Sequence, residues 1–533
     1  MKNENQISRR KFLKGATAVG AAVSTTLLPI SSIAATAPKK WDQETDIIVI
    51  GFGSAGSAAA IAASEENLNV TLLEKMPEET AGGATSCYGG IFMSFAGRKG
   101  KNFIERSMGS MTPETARKIS DEINVQIKWA KDKGLKMQKE NPFLVEGEGK
   151  AFYKLLKTWV METPRITIKY STPATSLIQD PETKEILGVI AQDDGKEIKI
   201  KARKGVIITS GDYNANKDMI RQFNFPGLDV ATINSPASTG DGMKMGMAAG
   251  GALDNMGKGF DWMEFAFREP TEKFGTAITH RTWDTADLVR GTDNSPLNNS
   301  RIFVNMDGER FMNEKTLLTH EKFYPMPWLN FTDNTHKGKP VGWDNLPMFL
   351  VCDQKELDSA TLGKVIGDNN WGWASVQNIY EWSDDNRAEI ESGWLIKADT
   401  LEELAAKMKA KPYLSTETPR IIKPDALKAT VTKYNEGCKS GNDEFDRPKE
   451  TLKPLSQNGS YYAIELMACG VYNTSGLRYN IHAQTLDYNN EPIPRLYSAG
   501  NVGQGLALWP YGVPGCMATG KIAAKHAAKL KSI

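Results

Sequence analysis

The sequence predicts an α/β fold, in which parallel strands alternate with helices, and one stretch near the N-terminus carries most of this prediction. Residues 47–50 form a short β-branched run of the kind found in buried parallel strands. A glycine-rich turn follows, then an alanine-rich helical segment that reaches Ala63, and then a second apolar strand, residues 69–73, which ends in Glu74. Two strands joined through a helix in this order form a βαβ unit and lie in one sheet.

The length, charge and cysteine content of the chain limit the classes of protein to which it can belong. The chain has 533 residues, which exceeds the size of one simple core, so we expect two closely connected domains. Lys and Arg number 65 against 64 Asp and Glu, and a net charge of +1 offers no basic surface for nucleic acid. The five cysteines are widely scattered, and the CxxCH sequence of covalent haem attachment is absent. We therefore expect a globular enzyme or binding protein without a metal site.

The N-terminal segment has the layout of a twin-arginine export signal. Arg9 and Arg10 precede a Phe-Leu pair and a charge-free, mildly apolar run, and small residues suited to a signal peptidase lie around 32–37. Residues 1–37 are therefore predicted to be a signal peptide, and the mature protein is expected in the periplasm. The alternatives are a retained anchor or a disordered basic tail. No later segment offers the roughly 20 apolar residues that span a bilayer.

The glycine-rich turn has GxGxxG spacing. Gly51 permits a tight turn, Gly53 lets the backbone approach a pyrophosphate, and Gly56 allows close packing of helix on strand. The N-terminus of the following helix supplies N–H donors to phosphates. Glu74, 18 residues after Gly56, would accept hydrogen bonds from both ribose hydroxyls. Because the flanking strands and the acid supply the confirming context, a dinucleotide site is favoured over a glycine turn in an unrelated domain.

Two glycine pairs indicate that the cofactor is FAD rather than NAD. Gly82-Gly83 and Gly89-Gly90 follow Glu74 closely and would let a second loop close over the diphosphate of an extended cofactor. A second nucleotide fingerprint for NADH is missing from the sequence. No histidine lies between residues 82 and 90, which argues against covalent attachment in that segment. We therefore expect non-covalent FAD.

Five ordered motifs make the chain resemble the fumarate reductase/succinate dehydrogenase flavoprotein family, which also contains 3-ketosteroid dehydrogenases and urocanate reductases. They are the glycine-rich start, GVIITSGDYNANKDMI from residue 205, STGDGMKMGMAAGGAL from 238, IFVNMDGERFMNE from 302 and PIPRLYSAGNVGQG from 492. The resemblance implies a Rossmann-like FAD-binding domain with an inserted α+β capping domain. The implied bounds are residues 42–256 and 455–533 for the FAD-binding domain and 257–454 for the capping domain.

The resemblance also implies which residues bind the cofactor. Asp241, in the TGDG sequence, contacts the flavin side, and the last motif brings Gly500 and Asn501 to the isoalloxazine ring. The expected set is Gly51, Gly53, Ser54, Ala55, Gly56, Glu74, Lys75, Gly83, Ala84, Thr85, Gly89, Gly90, Ala174, Gly211, Asp241, Gly500, Asn501 and Met517. Because FAD is inserted into a folded chain in the cytoplasm, an FAD site and a signal for the export of folded proteins support each other.

Four positions depart from the fumarate reductases, in which arginines and a histidine clamp the dicarboxylate and another arginine donates a proton. The proton donor is replaced by Leu318, two histidines by Tyr472 and Asn473, and the clamp arginine by Tyr511. A doubly charged substrate would lose charge-assisted hydrogen bonds worth roughly 1.5–3 kcal/mol each. Fumarate is therefore disfavoured.

The active-site residues are closer to the ketosteroid dehydrogenase branch. In that branch a tyrosine polarises a substrate carbonyl together with the N–H of a glycine four residues later, and Tyr511 and Gly515 have this spacing. Two such donors stabilise the enolate charge that builds up as hydride moves between the flavin and the β-carbon of an enone. A second group must exchange a proton at the α-carbon. The candidates for that group are Tyr324, His320 and Tyr88.

We therefore predict an exported FAD-dependent oxidoreductase that acts on a carbon–carbon bond next to a carbonyl or carboxyl group. The reducing direction is favoured, and a separate cytochrome c or a quinol-linked membrane protein would be its redox partner. The alternatives are a 3-ketosteroid-type dehydrogenase, a fumarate-type reductase with a clamp rebuilt from residues such as Arg281 or Arg290, and a non-catalytic flavin carrier. Eight of the twelve tryptophans lie between residues 262 and 394 and either line a substrate cavity or fill a domain core.

Overall fold

Strands and helices alternate along the chain, and their bounds come from a computed structural model. It describes residues 33–92, 104–105, 107, 109–140, 143–224, 230–257, 263–271, 273–274, 276–279, 299–315, 331–332, 342–363, 372–410, 421–504 and 512–533. The strands are β1 (Gln43–Ile50), β2 (Val70–Leu73), β3 (Met137–Glu140), β4 (Phe143–Val145), β5 (Ile166–Lys169), β6 (Ala174–Gln179), β7 (Ile186–Asp193), β8 (Lys196–Ile208), β9 (Ala231–Thr232), β10 (Leu253–Asp254), β11 (Met263–Phe267), β12 (Ile278–Thr279), β13 (Arg301–Asn305), β14 (Phe331–Thr332), β15 (Gly342–Trp343), β16 (Met348–Asp353), β17 (Ile396–Ala398), β18 (Tyr461–Gly470), β19 (Gly476–Leu477), β20 (Gln484–Leu486) and β21 (Pro492–Ser498). The helices are α1 (Ser54–Glu65), α2 (Pro113–Asp132), α3 (Glu148–Glu162), α4 (Lys217–Phe223), α5 (Asp241–Ala248), α6 (Gln354–Ser359), α7 (Trp373–Val376), α8 (Arg387–Glu391), α9 (Leu401–Lys407), α10 (Pro424–Ser440) and α11 (Gly512–Ala528).

The larger sheet is mostly parallel. Its order is β20-β21-β8-β1-β2-β5, with β7 paired to β8 and β6 to β7. The five strands β21, β8, β1, β2 and β5 run parallel, while β20, β7 and β6 pair in antiparallel fashion. The β-branched run of β1 is almost fully buried, as a central parallel strand with covered faces requires. The predicted α/β fold with a Rossmann-like sheet is confirmed.

Helix α11 packs against α1 at very short range. A Cβ atom on Gly520 of α11 would lie 2.2 Å from the carbonyl oxygen of Ala55 in α1, so the two backbones approach without an intervening side chain. The alanine-rich composition of α1 permits this approach, and its Ala59 and Ala63 are fully buried. The far C-terminal helix therefore supports the helix that follows the glycine-rich turn.

A second sheet is built largely from the middle of the chain. Its order is β12-β11-β18-β16-β13, and both β9 and β17 also pair with β18. One buried hydrophobic cluster runs from the large sheet, at Ile48 and Val206, to the second sheet, at Leu350 and Ile464. The division of the chain at residues 256 and 454 stays a prediction. Strand pairing places β9 and β18, which fall inside the predicted FAD-binding parts, in the second sheet.

Four of the eight clustered tryptophans lie in the described part of the chain, and all four belong to the core. Trp343, Trp373, Trp382 and Trp394 are each at most 9% exposed. Trp382 packs against the ring of Phe267 at 4.9 Å and against Trp394 at 5.2 Å between ring centroids. These four tryptophans therefore fill a domain core. The alternative, that they line a substrate cavity, does not apply to them.

A buried cluster of charges explains the RFxNE part of the fourth motif. Glu314 accepts hydrogen bonds from Arg310 at 2.8 Å and from Arg447 at 3.0 Å, and Arg310 also pairs with Asp443 at 2.8 Å. The side chains of Glu314 and Arg447 are fully buried. Arg447 in addition donates to the backbone carbonyl of Arg301, in β13. The motif therefore ties β13 to the segment after α10.

The described residues contain no helix that is long and apolar enough to cross a membrane. Residues 1–32 of the predicted signal lie outside the described part. Within residues 33–37, the Ala35 backbone pairs with β6, donating to Leu177 at 2.8 Å and accepting from Gln179 at 2.7 Å. A signal that ended at residue 37 would therefore include a segment that extends the large sheet.

Two histidines stack beside the C-terminal helix. The rings of His482 and His526 are 4.3 Å apart and nearly parallel. The amine of Lys118 lies 3.4 Å from Nδ1 of His482, and the hydroxyl of Tyr497 lies 3.0 Å from Nδ1 of His526. Burial, followed by the charges of His482, Lys529 and Lys118, lowers the pKa of His526 to about 4. Burial and the same two lysines also lower the pKa of His482.

This pair predicts a loss of stability in acid. The unfolded chain binds a proton on His526 near pH 6.5, whereas the folded protein keeps the ring neutral down to about pH 4. The free energy of unfolding should therefore fall as the pH drops through this window, by an amount on the order of 1 kcal/mol after solvent screening. Thermal unfolding at pH 7.5 and pH 5 measures the loss. The His526→Gln variant should lose less, and an equal loss in both proteins would contradict the prediction.

Candidate cofactor and active site

A cleft opens at the carboxyl ends of β1, β2 and β8, the place where open α/β sheets bind ligands. Its empty volume is about 870 Å³. Fourteen of the eighteen predicted cofactor-binding residues line it, although they come from seven separate parts of the chain. These are Gly51, Gly53, Ser54, Ala55, Glu74, Lys75, Gly83, Ala84, Thr85, Ala174, Gly211, Asp241, Gly500 and Asn501.

The three glycines of the turn have different neighbours. Gly51 has φ of +106°, and a Cβ there would lie 2.7 Å from the carbonyl oxygen of Thr209. A Cβ on Gly56 would lie 2.0 Å from the carbonyl oxygen of Gly51. At Gly53 the nearest atom would be Oγ1 of Thr85, at 3.3 Å. Packing within the protein therefore requires glycine at positions 51 and 56, whereas Gly53 exposes its backbone to the cleft.

Glu74 is fixed at the mouth of the glycine-rich turn. Its two carboxylate oxygens accept hydrogen bonds from the backbone N–H of Phe52 at 2.9 Å and of Met76 at 2.8 Å. Burial raises the pKa of this carboxyl group, although both backbone bonds favour its charged form. Each oxygen keeps a second acceptor position. The group is therefore oriented to accept two further hydrogen bonds from the cleft.

Lys75 and Asp241 form an ion pair across the cleft. The amine of Lys75 donates to Asp241 at 2.7 Å and to the hydroxyl of Thr239 at 2.7 Å. Burial opposes the ionisation of Asp241, but Lys75 outweighs this effect and holds the pKa of that carboxyl group below its usual value. The pair joins the end of β2 to the first turn of α5. The sequence indicated both residues but not their contact.

The other four predicted residues lie behind the wall of the cleft. Gly56 contacts the turn itself, and Gly90, with Gly89 beside it, faces α3, where a Cβ on Gly90 would lie 3.1 Å from the Cα of Glu148. Met517 is fully buried in α11. A role for these residues in cofactor binding stays a prediction, and the structure gives Gly56, Gly90 and Met517 packing roles.

Sequence reasoning missed several polar residues of the cleft. Ser210, Ser238 and Cys516 line it together with Thr209. The hydroxyl of Ser210 is buried and has no hydrogen-bond partner in the described part of the chain. Ser210 directly precedes Gly211, so the second motif could have indicated it. An unpartnered buried hydroxyl beside a helix N-terminus, bare glycine backbone and an oriented carboxylate fits a polar ligand such as FAD.

Of the three predicted catalytic residues, Gly515 lies in the described part of the chain, and Tyr511 and Tyr324 lie outside it, as does His320. Gly515 is in the first turn of α11, where N–H groups have no acceptor four residues earlier within the helix. The adjacent Cys516 lines the cleft. Gly515 itself is not among the residues that line the cleft, so a contact of its N–H with the substrate stays a prediction.

Tyr88, the third candidate for proton exchange, is half-buried. Its hydroxyl has no hydrogen-bond partner among the described residues, and its ring packs edge-on against Phe152 at 6.1 Å. Burial and the charge of Glu148 raise the pKa of its hydroxyl. It does not line the cleft. The structure therefore gives Tyr88 a packing contact and leaves its catalytic role a prediction.

Asn473, where the resemblance implies a histidine in the fumarate reductases, is part of a network of amide side chains. The Asn473 side chain donates to the side chain of Asn214 and accepts from Asn224 at 2.8 Å. Its backbone N–H donates to the carboxyl group of Asp212 at 3.1 Å. Asn473 is only 2% exposed. Leu318, Arg281 and Arg290 lie outside the described residues.

Comparison with known protein families agrees with this geometry. Residues 115–511 match the family model described as FAD binding domain, which covers well over half of the chain. The protein belongs to this FAD-binding family. Residues 46–159 also match a model described as FAD dependent oxidoreductase, and residues 6–26 match the twin-arginine translocation pathway signal sequence. The predictions of FAD, of an FAD-dependent oxidoreductase and of export by the twin-arginine pathway are confirmed, and the end of the signal at residue 37 stays a prediction.

Individual relatives confirm the predicted resemblance. The vinyl phenol reductase of Lactiplantibacillus plantarum is 25% identical over 91% of this chain and 96% of its own length. A 3-oxosteroid 1-dehydrogenase of Mycolicibacterium smegmatis is 26% identical over 74% of this chain and 62% of its own length. Among solved structures, the 3-ketosteroid delta1-dehydrogenase of Sterolibacterium denitrificans shares this fold with a TM-score of 0.67 and 18% identity, over 91% of this chain and 99% of its own.

Proposed function

We propose that this flavoenzyme reduces a carbon–carbon double bond conjugated to a carbonyl or carboxyl group, in the periplasm, with electrons from an external partner. The neutral network around Asn473 carries this proposal. It places neutral amides, those of Asn473, Asn214 and Asn224, where the resemblance implies a cation of the dicarboxylate clamp in fumarate reductases. The two related enzymes above are named for a vinyl phenol and a 3-oxosteroid.

The residues of the cleft have distinct tasks in this function. Gly53 and the N-terminus of α1 would hold the pyrophosphate of FAD, and Glu74 its ribose. Bound FAD supplies the hydride chemistry. Tyr511 and the N–H of Gly515 would donate hydrogen bonds to the substrate carbonyl and stabilise the negative charge that develops on its oxygen. The electrons would come from a cytochrome c or a quinol-linked membrane protein.

A 3-ketosteroid-type dehydrogenase is the second candidate. It is supported by the similarity to the 3-oxosteroid 1-dehydrogenase and by the spacing of Tyr511 and Gly515. Such a dehydrogenase would use the same two hydrogen-bond donors, Tyr511 and Gly515, and the same cleft. The two functions differ in direction, because the dehydrogenase passes electrons from the substrate to the partner.

Oxidation of the reduced enzyme by a substrate panel tests the proposal. The protein is reduced anaerobically with dithionite, and the flavin absorbance is followed after addition of cyclic enones including a 3-ketosteroid, cinnamate-type acids, urocanate or fumarate. We expect rapid oxidation by an enone or an aryl acrylate, and a rate about 10²–10³-fold lower in Tyr511→Phe. Tyr488→Phe is the matched control, because that tyrosine is 68% exposed and should not affect the rate.

The other outcomes have clear meanings. Oxidation by fumarate would show that a cationic clamp exists elsewhere, for example at Arg281 or Arg290. Reduction of the oxidised flavin by a saturated 3-ketosteroid, without the reverse reaction, would favour the dehydrogenase. If no compound changed the flavin spectrum, a role as a flavin carrier would be favoured.

A further inference from the structure

A short turn brings Gly500 and Asn501 into the wall of the cleft, and helix α11 holds this turn in place. The turn is a single 3₁₀ turn, Gly500–Val502, and its first two residues line the cleft. Thr519 and Cys516 of α11 contact it through their side chains. Thr519 is 1% exposed and is not among the residues that line the cleft, so it contacts the turn from behind the wall.

The hydroxyl group of Thr519 connects the turn to the start of α11. Its proton points to the backbone carbonyls of Gly515 and Cys516, at 2.9 and 3.1 Å, in the way that threonine bonds within helices. Its oxygen accepts from the backbone N–H of Gly500 at 3.0 Å. Because the proton is directed into α11, a lone pair of the oxygen is left to face Gly500. A valine would have the same shape with neither a donor nor an acceptor.

The backbone of Gly500 is not restricted by a side chain of its own. Its φ is +71°, in the left-handed region that glycine adopts without steric cost, and glycine adopts other regions as readily. A Cβ at this position would lie 2.8 Å from the Cβ of Ala55, in the first turn of α1, so packing excludes a side chain. The hydrogen bond to Thr519 therefore supplies a restraint that residue 500 cannot supply itself.

Cys516 orients the side chain of Asn501. Its thiol donates to Oδ1 of Asn501 at 3.5 Å. Burial raises the pKa of this thiol to about 12, so it keeps its proton at neutral pH and remains a donor. The oxygen of the amide group is thus turned toward α11, and its NH₂ group lies on the other side. That NH₂ group is the end of Asn501 that can donate to a ligand in the cleft.

The helix that makes both contacts is itself fixed against α1. Gly520, next to Thr519, packs on Ala55, where a Cβ would lie 2.2 Å from the carbonyl oxygen. Ala55 is therefore closely approached by both Gly500 and Gly520. Helix α11 consequently fixes the 500–502 turn relative to the glycine-rich turn, the other part of the cleft wall that depends on exact backbone placement.

We propose that Thr519 and Cys516 are positioning residues for FAD, which fix the backbone of Gly500 and the amide group of Asn501 in the arrangement that binds the cofactor. The inference rests on the proposed function only where that function assigns this cleft to FAD. The substrate and the direction of the reaction do not enter it. Groups that are ordered before binding lose less conformational entropy when the ligand binds. The two contacts should therefore slow the release of FAD.

Release of FAD from the loaded protein tests the first contact. Flavin fluorescence rises as FAD leaves the diluted protein and gives the rate of release. We expect Thr519→Val to release FAD about tenfold faster than the wild type, because a buried hydrogen bond is lost without a change of shape. Thr519→Ser is the matched control, since serine keeps the hydroxyl group, and its rate should stay within about threefold of the wild type. A wild-type rate in Thr519→Val, or equal rates in the two variants, would overturn the inference.

A double-mutant cycle tests the second contact and separates positioning from packing. Cys516→Ala should release FAD about threefold faster than the wild type. In an Asn501→Ala background the same substitution should have no further effect, because Cys516 acts through the amide group that this background lacks. An equal effect in both backgrounds would show that the thiol packs or touches FAD directly, and would overturn its positioning role. The cycle decides the inference even if Thr519→Val does not fold.

Failure of the inference and failure of the proposed function are distinguishable. The release of FAD needs no substrate, so these rates decide the inference even if no compound of the panel oxidises the reduced enzyme. Reduction of an enone by a protein whose FAD release is unchanged in Thr519→Val and in Cys516→Ala would support the proposed function and overturn the inference.

Discussion

Gly53→Ala should weaken FAD binding but keep the stability of the fold, whereas Gly56→Ala should lose stability as well as FAD affinity. An alanine Cβ at position 53 meets nothing closer than Oγ1 of Thr85 at 3.3 Å, and the backbone there is extended, with φ of −96°. The methyl group instead occupies the surface against which a pyrophosphate would lie. We expect the dissociation constant of FAD to rise at least tenfold, which corresponds to about 1.4 kcal/mol.

The effect at position 56 has another cause. The new Cβ would lie 2.0 Å from the carbonyl oxygen of Gly51, a backbone atom that cannot move without displacing β1 or α1. Overpacking of this kind destabilises by about 1–3 kcal/mol or more. Circular dichroism and thermal unfolding of the two apoproteins, followed by FAD titration, separate the effects. An apo Gly53→Ala protein as unstable as Gly56→Ala would contradict the assignment, as would unchanged FAD affinity in Gly53→Ala.

Glu314→Ala should be among the most destabilising single changes in the protein. It leaves Arg310 and the fully buried Arg447 without their shared carboxylate. Removing one partner from a buried ion pair destabilises by about 3–5 kcal/mol, because the remaining charge stays buried without compensation. Asp443 continues to pair with Arg310, whereas its contact with Arg447 is with the backbone N–H, at 3.2 Å, and not with the guanidinium group. The loss should therefore come mainly from Arg447.

Urea unfolding of the FAD-loaded protein measures this effect. The matched control is Lys128→Ala, which breaks the exposed pair between Lys128 and Asp132 in α2, whose side chains are 78% and 62% exposed. We expect a change of at most about 0.5 kcal/mol in that variant. If Glu314→Ala were as mild as the control, the cluster would not explain the fourth motif, and a role near the substrate would have to be reconsidered.

Local patterns predicted the parts of the fold that neighbouring residues determine. The first βαβ unit and Glu74 could be predicted because the glycine spacing, the strand composition and the acid all lie within residues 47–74. The strand order of the large sheet could not be predicted from such patterns, since β8 lies between β1 and β21 in the sheet and the three strands lie far apart in the chain. Only the resemblance to a known family placed Gly500 and Asn501 in the same cleft as Gly51.

Local sequence patterns also could not predict the polar contacts of the site. Asp212 lies within the second motif, but its partner Asn473 lies 261 residues further along the chain. Lys75 and Asp241, 166 residues apart, were predicted as separate contacts and form a pair. A hydrogen bond between distant segments depends on tertiary structure, so sequence spacing contains no signal for it.

The late position of β21 and α11 in the chain has a consequence for the timing of biosynthesis. β21 completes the parallel sheet beside β8, α11 supports α1, and the turn between them supplies Gly500 and Asn501 to the wall of the cleft. A nascent chain that has not yet released these segments from the ribosome lacks one side of the cofactor cleft. The twin-arginine signal is synthesised first, but the protein can complete its cofactor cleft, and be exported in folded form, only after residue 528 has left the ribosome. Translation and translocation must therefore be separate events, with acquisition of FAD in the interval between them.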